Sequence, residues 1–408
     1  MAVCLRDGVQ ASQASTAKTA RRAEPRDRPR IVLGITSAQT CLVLTGRISA
    51  LRAAGFQVTL VSGPGPLLQA TAEREGARAV AVKMARQIAP AQDLMALLRL
   101  WWLLCRLRPD IVEFSTPKAG LLGLVAAVLA GVPRRIYLLR GLKLETAAGV
   151  KRAILHAAER VTMACAQTVL CNSNSLRAQA LALSLAPAAK LHVLGAGSGI
   201  GVDLEHFSPG PSPVRASLGI PRKAAVIGFT GRLTRDKGLP ELVAAFEEIL
   251  LARPDAFLLL VGWFDAAEDA LDAGLRARVL RHPRIACTGF VTDAAPYYRA
   301  MDVFVLPTLR EGFPNAVLEA SASGLAVVTT LSTGARDAVV PEVTGLLVPP
   351  GYPEAIEEAV LRLLWDGALR ERMGSAGRAW VARRFAQDDV LSENVAFYDS
   401  QVKETAMR

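Results

Sequence analysis

Two tandem α/β domains, each a parallel sheet covered by helices on both faces, are what this sequence predicts. Three observations carry the prediction. Short apolar runs rich in Val, Ile and Leu alternate with segments of helical length from Arg30 onward. That rhythm stops at a Gly, Ser and Pro rich stretch, residues 195–213, and then restarts. The chain, at 408 residues, is also too long for one ordinary core, since a domain takes roughly 150 residues.

In the first domain the expected strands are IVLGIT (31–36), QVTLVSG (57–63), ARAVAV (77–82), DIVEF (110–114), RIYLL (135–139), QTVLC (167–171) and KLHVL (190–194). In the second they are AAVIGFT (224–230), AFLLLVG (256–262), RIACTG (284–289), VFVLP (303–307), LAVVTT (325–330) and GLLV (345–348). The predicted domains are therefore 30–205 and 206–385, followed by a C-terminal segment, 386–408, whose helix near Asp388–Tyr398 could pack on either domain. Residues 1–29 are rich in Ala, Arg, Ser and Gln and lack an apolar core, so they read as a disordered tail rather than a secretory signal. Two such domains in tandem generally bind ligand in the cleft between them, where the carboxyl ends of the strands meet.

Composition narrows the function class. A content of 51% hydrophobic and 21% charged residues describes a protein with a buried core. The six cysteines (Cys4, Cys41, Cys105, Cys165, Cys171, Cys287) form no Cys-x-x-Cys pair, which fits reduced thiols in a cytosolic protein and no zinc site. Ala119–Val132 is the longest apolar stretch, with 14 residues; a membrane-spanning helix needs about 20, so a buried helix is expected there. The net charge of +11 is unevenly spread: +4 over residues 1–30, +12 over 31–200 and −5 over 201–408. A basic first half calls for an anionic partner: nucleic acid, an anionic lipid surface or a phosphorylated substrate. Nucleic acid is disfavoured by the absence of aromatic-glycine stacking motifs and Cys/His fingers and by an aromatic content of only 5%.

Two motifs in the second domain carry chemistry. EGFPNAVLEA (311–320) follows an expected strand and a short loop, with Pro314 where a helix takes its first residue and the helix running to about Ser323. Gly312 lets a ligand approach the main chain, and the first helical N–H groups, which lack partners, can receive a phosphate. Glu319 lies roughly 7–8 Å further along the helix axis, far enough to meet a different part of a ligand than Glu311 does. Carboxylates accept paired hydrogen bonds from vicinal diols. A solvated Glu311 and an amphipathic Glu319 would be the plain structural alternative.

GFTGRLTRDKGLPELV (228–243) is the first strand-to-helix turn of the same domain. Gly231 ends the strand, and Arg232 and Lys237 flank the loop before a helix that begins near Gly238. Such a turn faces the ligand cleft, and two fixed cations there would neutralise a departing diphosphate.

GRLTRDKG and EGFPNAVLEA together resemble the donor-site motifs of the retaining glycosyltransferases of family four, which have the GT-B fold of two facing Rossmann-like domains. VLGAGSGIGVDLEHFSP (193–209) and STPKAGLLG (115–123) are similar to the branch that builds capsule, exopolysaccharide and O-antigen repeats on polyprenyl-diphosphate carriers. The resemblance covers about residues 30–390. It implies transfer of a hexose or N-acetylhexosamine from a nucleotide-sugar donor, a UDP-sugar by expectation, to a lipid-linked glycan acceptor. Residue by residue, it implies that Arg232 and Lys237 contact the donor diphosphate and that Glu311 meets the sugar hydroxyls. Gly231, Gly312, Phe313 and Asn315 would line the donor site, the second and third through backbone N–H groups. Glu319 would hold the ribose, and Gly46 would stand near the β-phosphate. Trp263 in VGWFD and Val291 in GFVTD would border the nucleotide base, without telling UDP from GDP.

The histidine that many members carry after the fourth strand is missing, since that region reads VEFSTPKAG. A front-side retaining mechanism, in which the departing phosphate oxygen takes the acceptor proton, tolerates its absence. No Asp-x-Asp occurs in the chain, so no metal ligand and no cofactor is expected, with the cations and a helix N-terminus doing the electrostatic work. The same fold could alternatively serve a sugar-nucleotide epimerase or a non-catalytic donor-binding subunit.

In the first domain, Lys118 opens a helix and Arg140 ends a strand, which makes them candidates for an acceptor diphosphate. Leu94–Leu107 (LMALLRLWWLLCRL) is apolar nearly all round apart from Arg99 and Arg106. It reads either as a helix buried on the sheet's flank or as one resting in a bilayer interface. Residues 149–163 (GVKRAILHAAERVTM) are a second basic amphipathic candidate. The location expected is the cytoplasmic face of the inner membrane, bound peripherally to its anionic inner leaflet.

Overall fold

The computed structural model describes residues 28–85, 87–265 and 269–406. Nearly all of the expected tail, residues 1–27, lies outside the described residues. The first domain runs β1 (Arg30–Gly34), α1 (Arg47–Ala53), β2 (Gln57–Ser62), α2 (Pro66–Glu75), β3 (Arg78–Ala81), α3 (Pro90–Leu107) and β4 (Ile111–Ser115). It continues with α4 (Pro117–Leu129), β5 (Arg134–Leu139), α5 (Gly149–Cys165), β6 (Thr168–Cys171), α6 (Asn174–Ala182) and β7 (Leu191–His192). All pairings are parallel, in the order β3-β2-β1-β4-β5-β6-β7.

The second domain contains α7 (Val214–Ser217), β8 (Val226–Thr230), α8 (Leu239–Ala252), β9 (Phe257–Val261), α9 (Ala273–Arg281), β10 (Ile285–Cys287) and α10 (Ala295–Tyr298). It closes with β11 (Val303–Leu306), α11 (Asn315–Ala322), β12 (Ala326–Thr330), β13 (Gly345–Val348), α12 (Pro353–Trp365) and α13 (Gly367–Arg384), and the last helix, α14 (Gln387–Ala406), follows. This sheet is also parallel, in the order β10-β9-β8-β11-β12-β13. Strands covered on both faces need no alternation, and β4, β9 and β11 are buried along their whole length.

Each sheet reverses direction once, between β1 and β4 and between β8 and β11, and these switch points open crevices at the carboxyl ends of the strands. In the first domain the crevice is partly filled by the chain itself. Thr36 Oγ1 lies 2.6 Å from Thr116 Oγ1 and accepts the Ala119 N–H (3.1 Å) at the start of α4. The switch point of the second sheet instead carries both sequence motifs.

Right-handed crossovers put α3, α4 and α5 on one face of the first sheet and α1 on the other. Helix α14 leaves the second domain and packs on α1. There, Arg47 Nη1 and Nη2 donate to Glu113 Oε1 and Oε2 (2.8 and 2.5 Å), and Nη2 also donates to the Tyr398 hydroxyl (2.5 Å), which bonds Glu113 in turn. All three side chains are buried. Burial pushes the Glu113 carboxyl up, but Arg47, Tyr398 and Arg140 together hold it below the usual range.

Helix α4 is buried as its composition predicts, with Ala119, Leu122, Leu124, Ala126 and Ala127 in the core. No helix among the described residues is long and apolar enough to cross a membrane. Helix α3 is only half buried: Ala96, Leu100, Leu103 and Leu104 face the core, while Leu94, Met95, Leu98, Trp101 and Trp102 face out.

Helix α5 buries Glu159 beneath its polar face, where the Tyr137 hydroxyl donates to Oε2 (3.0 Å). Burial pushes this carboxyl up to about 7, with Tyr137 offsetting a little. An unfolded glutamate titrates near 4.3, so the folded state holds an extra proton between the two values. The stability this group contributes is complete below about pH 4.3 and is lost as pH rises through about 7. Urea denaturation is expected to show the wild type losing a few kcal/mol relative to Glu159→Gln between pH 5 and pH 8.

Candidate active site

Strand β8 ends at Thr230, and the chain turns at Gly231, whose φ is 148°. The Gly231 N–H donates to the Val261 carbonyl (2.9 Å), and a Cβ on Gly262 would lie 1.8 Å from the Gly231 carbonyl oxygen. Two glycines thus let the loops after β8 and β9 touch backbone to backbone. Arg232 follows, its Nη2 at 3.2 Å from Asp236 and its Nη1 at 3.3 Å from Asp265. A 3₁₀ turn, Arg235–Lys237, then leads into α8.

Asp236 is the buried centre of this loop. It accepts from Thr234 Oγ1 (2.6 Å), Arg232 Nη2 and Arg310 Nη2 (3.1 Å). Burial pushes its carboxyl up, but Lys237, Arg232, Thr234 and Arg310 outweigh that and hold it below the usual range.

The loop after β11 brings up the second motif. Lys237 Nζ pairs with Glu311 Oε1, and the Glu311 N–H donates to the Thr333 carbonyl (2.9 Å). Phe313 is buried against Phe385 (ring centroids 5.2 Å apart). Pro314 caps α11 in an extended conformation, so the helix starts at Asn315, one residue later than the sequence suggested. Fixed φ suits proline to the cap as well as to the first turn. Glu319 accepts from the Tyr298 hydroxyl (2.8 Å), and burial pushes its carboxyl up, with Tyr298 and His206 opposing.

Beside Arg232 stands an apolar wall. The Trp263 carbonyl accepts the Leu233 N–H (2.9 Å), its ring meets Phe290 edge to face at 5.5 Å, and Val291 packs on the core behind.

The first domain reaches this edge directly. A Cβ on Gly312 would lie 2.3 Å from the Arg140 carbonyl oxygen, so only glycine allows the approach. Around that contact, Ser198 Oγ donates to Asn315 Oδ1 (3.2 Å), Thr333 Oγ1 to Glu145 Oε1 (2.6 Å) and Arg310 Nε to Thr146 Oγ1 (2.9 Å). Ser175 bonds Asp337 through its N–H (3.1 Å) and its hydroxyl, and that hydroxyl accepts the Gly334 N–H (2.7 Å).

Comparison with known proteins identifies the architecture. Residues 44–197 match the family model described as glycosyl transferase 4-like domain, and residues 224–366 match the one described as glycosyl transferases group 1. The chain is 34% identical over 372 residues to the capsular polysaccharide biosynthesis glycosyltransferase CapM of Staphylococcus aureus, covering 91% of this chain and 97% of that protein. The chain is a family-four glycosyltransferase. An Escherichia coli relative, UDP-Gal:alpha-D-GlcNAc-diphosphoundecaprenol alpha-1,3-galactosyltransferase, is 28% identical, covering 70% of this chain and 74% of its own. Among solved structures, HepE of Anabaena in complex with UDP and glucose superposes with a TM-score of 0.75 at 19% identity, over 91% of this chain and 100% of that one. The GT-B fold and the capsule and polysaccharide branch expected from the motifs are what these relatives share with the chain.

In this glycosyltransferase, Gly231, Arg232, Lys237, Trp263, Val291, Glu311, Gly312, Phe313, Asn315 and Glu319 all gather at the carboxyl edge of the second sheet. Two first-domain candidates do not behave as the sequence suggested. The Gly46 N–H donates to both oxygens of Glu75 (3.2 and 3.1 Å), and Gly46 faces Gln387 and Leu391 of α14, so its amide is not free for a phosphate. Lys118 is tied to Asp93 at 2.5 Å and is not a free cation for an acceptor. In both, a carboxylate from another helix is the partner in this structure. Arg140 does sit at the junction.

Sequence reasoning missed Asp236 and Arg310. The signal was present, because Asp236 stands between two cations and Arg310 immediately precedes Glu311. His206 pairs with Asp293 at 2.8 Å and reaches Glu319 only through its field. Among the described residues, no three His, Cys, Asp or Glu side chains converge as a metal site.

Asp236→Asn removes the charge that holds two arginines while leaving each its second carboxylate, Asp265 or Asp269. The expected cost is about 1–3 kcal/mol of stability in denaturant titration. Glycosyl transfer should fall at least about tenfold as Arg232 loses its fixed position.

Proposed function

We propose that this glycosyltransferase moves a hexose or N-acetylhexosamine, with retention, from a UDP-sugar to a glycan carried on a polyprenyl diphosphate, in surface polysaccharide assembly. The observation that carries the reading is the pairing of Arg232 and Lys237 with the Glu311–Gly312 loop at one sheet edge. The relative named for a diphosphoundecaprenol acceptor and a UDP-galactose donor supports the choice of both substrates.

The proposed transfer runs as a sequence of events. Lys237 is paired with Glu311. A donor diphosphate arriving beside Lys237 takes over the ion pair and frees the Glu311 carboxylate to accept from sugar hydroxyls. Arg232, held by Asp236 and Asp265, stays in place as negative charge builds on the leaving diphosphate. Because the arginine is already oriented, little reorganisation is needed at the moment of transfer. The acceptor proton goes to the departing phosphate oxygen on the same face of the sugar. Gly231, Gly312, Phe313 and Asn315 line the donor, Trp263 and Val291 border the base, and Glu319 holds the ribose. No divalent cation takes part in this scheme.

The exposed stripes of α3 and α5 suit the lipid-linked acceptor. Leu94, Leu98, Trp101 and Trp102 on α3 and Val150, Ile154 and Val161 on α5 are exposed on the same face of the first sheet. Arg99, Arg106, Lys151, Arg152 and Arg160 flank them, with Arg106 stacked on Trp102 at 5.4 Å. Aromatic rings among cations fit the headgroup region of an anionic leaflet. We therefore place the enzyme on the cytoplasmic face of the inner membrane.

A labelled UDP-sugar and a lipid-diphosphate acceptor test the whole reading, and product analysis that finds epimerised or hydrolysed donor alone would sink it. Glu311→Ala should lower kcat by at least about a hundredfold, whereas Glu319→Ala should mainly raise donor KM. Activity should survive chelator; its loss in EDTA and return with magnesium would remove metal independence. Trp101→Ser/Trp102→Ser should release the enzyme from vesicles containing anionic lipid, seen in a flotation assay, while transfer to a short water-soluble acceptor is unchanged.

A further inference from the structure

Arg140 follows β5 directly and enters the domain junction. Its Nε and Nη2 are buried with no hydrogen-bond partner. Arg47, the cation that acts on it, is itself paired with Glu113. Glu113, the nearest candidate counter-ion, is already used by Arg47 and Tyr398. One positive charge is therefore left uncompensated at the junction. An unpaired buried charge is strongly unfavourable, and only the field of Glu113 and Tyr398 relieves it, without a hydrogen bond to either. Burial and the neighbouring Arg47 push the Arg140 guanidinium down to about 10, with Glu113 and Tyr398 opposing, which still leaves it charged at neutral pH.

The position of this charge indicates what it serves. The Arg140 carbonyl packs on Gly312, inside the donor loop rather than toward α3 and α5. A Cβ on Gly199 would lie 3.5 Å from Arg140 Nη1 and 3.9 Å from Asn172 Nδ2, so both donors face the same glycine of the interdomain segment. Arg232 and Lys237 approach from the second domain. The Arg140 guanidinium thus borders the interdomain segment whose Ser198 bonds Asn315 at the start of α11, and its backbone abuts the Glu311–Gly312 loop that carries the partner of Lys237.

We propose that Arg140, with the Asn172 amide beside it, is the first domain's contribution to the donor diphosphate site, binding the diphosphate across the cleft from Arg232 and Lys237. This departs from the acceptor role that the sequence suggested for Arg140, and it rests on the donor assignment proposed above. Diphosphate binding then supplies the missing counter-ion.

Titration calorimetry on the full chain with UDP and uridine, and with GDP and guanosine, tests the proposal using the wild type, Arg140→Met and Arg140→Lys. Arg140→Met should bind the diphosphate at least tenfold more weakly while nucleoside affinity stays the same, and Arg140→Lys should recover part of the loss. The unliganded Arg140→Met protein should melt no lower than wild type, because an uncompensated charge has been removed. Unchanged diphosphate affinity overturns the proposal, whether or not the KM for the lipid-diphosphate acceptor rises. A lowered melting temperature with nucleoside and nucleotide binding lost together would mean a structural role and also overturn it. If the wild type binds neither nucleotide, the donor reading itself fails; if it binds one and Arg140→Met binds it equally well, only the Arg140 assignment fails.

Discussion

At Gly312 the two domains approach so closely that the Arg140 carbonyl occupies the space a side chain would need. The junction depends on that contact. Because the backbones meet there, Ser198 reaches Asn315, Glu145 reaches Thr333, Thr146 reaches Arg310 and Ser175 reaches Asp337. Each such bond is worth about 0.5–1.5 kcal/mol net, and the junction between the motifs is polar rather than greasy. Polar interdomain contacts of this kind permit relative motion. The contact therefore fixes how the two domains meet without an apolar seam to lock them.

Charge organises the same region. Asp236 is buried and holds Arg232 and Arg310, one aimed at the site and the other at the first domain. Lys237 and Glu311 neutralise each other. The second sheet's edge thus keeps its cations oriented by carboxylates, whereas Arg140 has two buried guanidinium nitrogens with no hydrogen-bond partner. Fixed dipoles and charges of this sort act without reorganising, and their desolvation has already been met by folding.

The exposed apolar stripes and the motif-bearing edge of the second sheet are linked through the chain itself. Glu145 and Thr146, which bond Thr333 and Arg310, stand just before α5, the basic amphipathic helix. At the other end, α14 returns from the second domain to the first through the buried Arg47–Glu113–Tyr398 cluster. The two domains are thereby tied at the cleft and behind it, and the polar side of that arrangement is the weaker one.

All thirteen strands were legible in the sequence, because a strand covered on both faces must be apolar along its length and the intervening segments have helical length. That the two motifs meet at one sheet edge was legible too: Gly231, Arg232, Lys237, Glu311 and Glu319 lie within short stretches whose spacing is set by one turn and one helix start. What the sequence could not express is which carboxylate reaches which cation. Gly46 and Lys118 looked available until Glu75 and Asp93, from other helices, were found beside them, and the amphipathic α3 could not declare which stripe it buries. Arg140 is the converse case, a strand-end arginine of ordinary appearance whose missing partner emerges only when β5, the interdomain segment and the donor loop are brought together. Local periodicity determined the elements; long-range pairing, which depends on packing across two domains, decided which charges were left to bind.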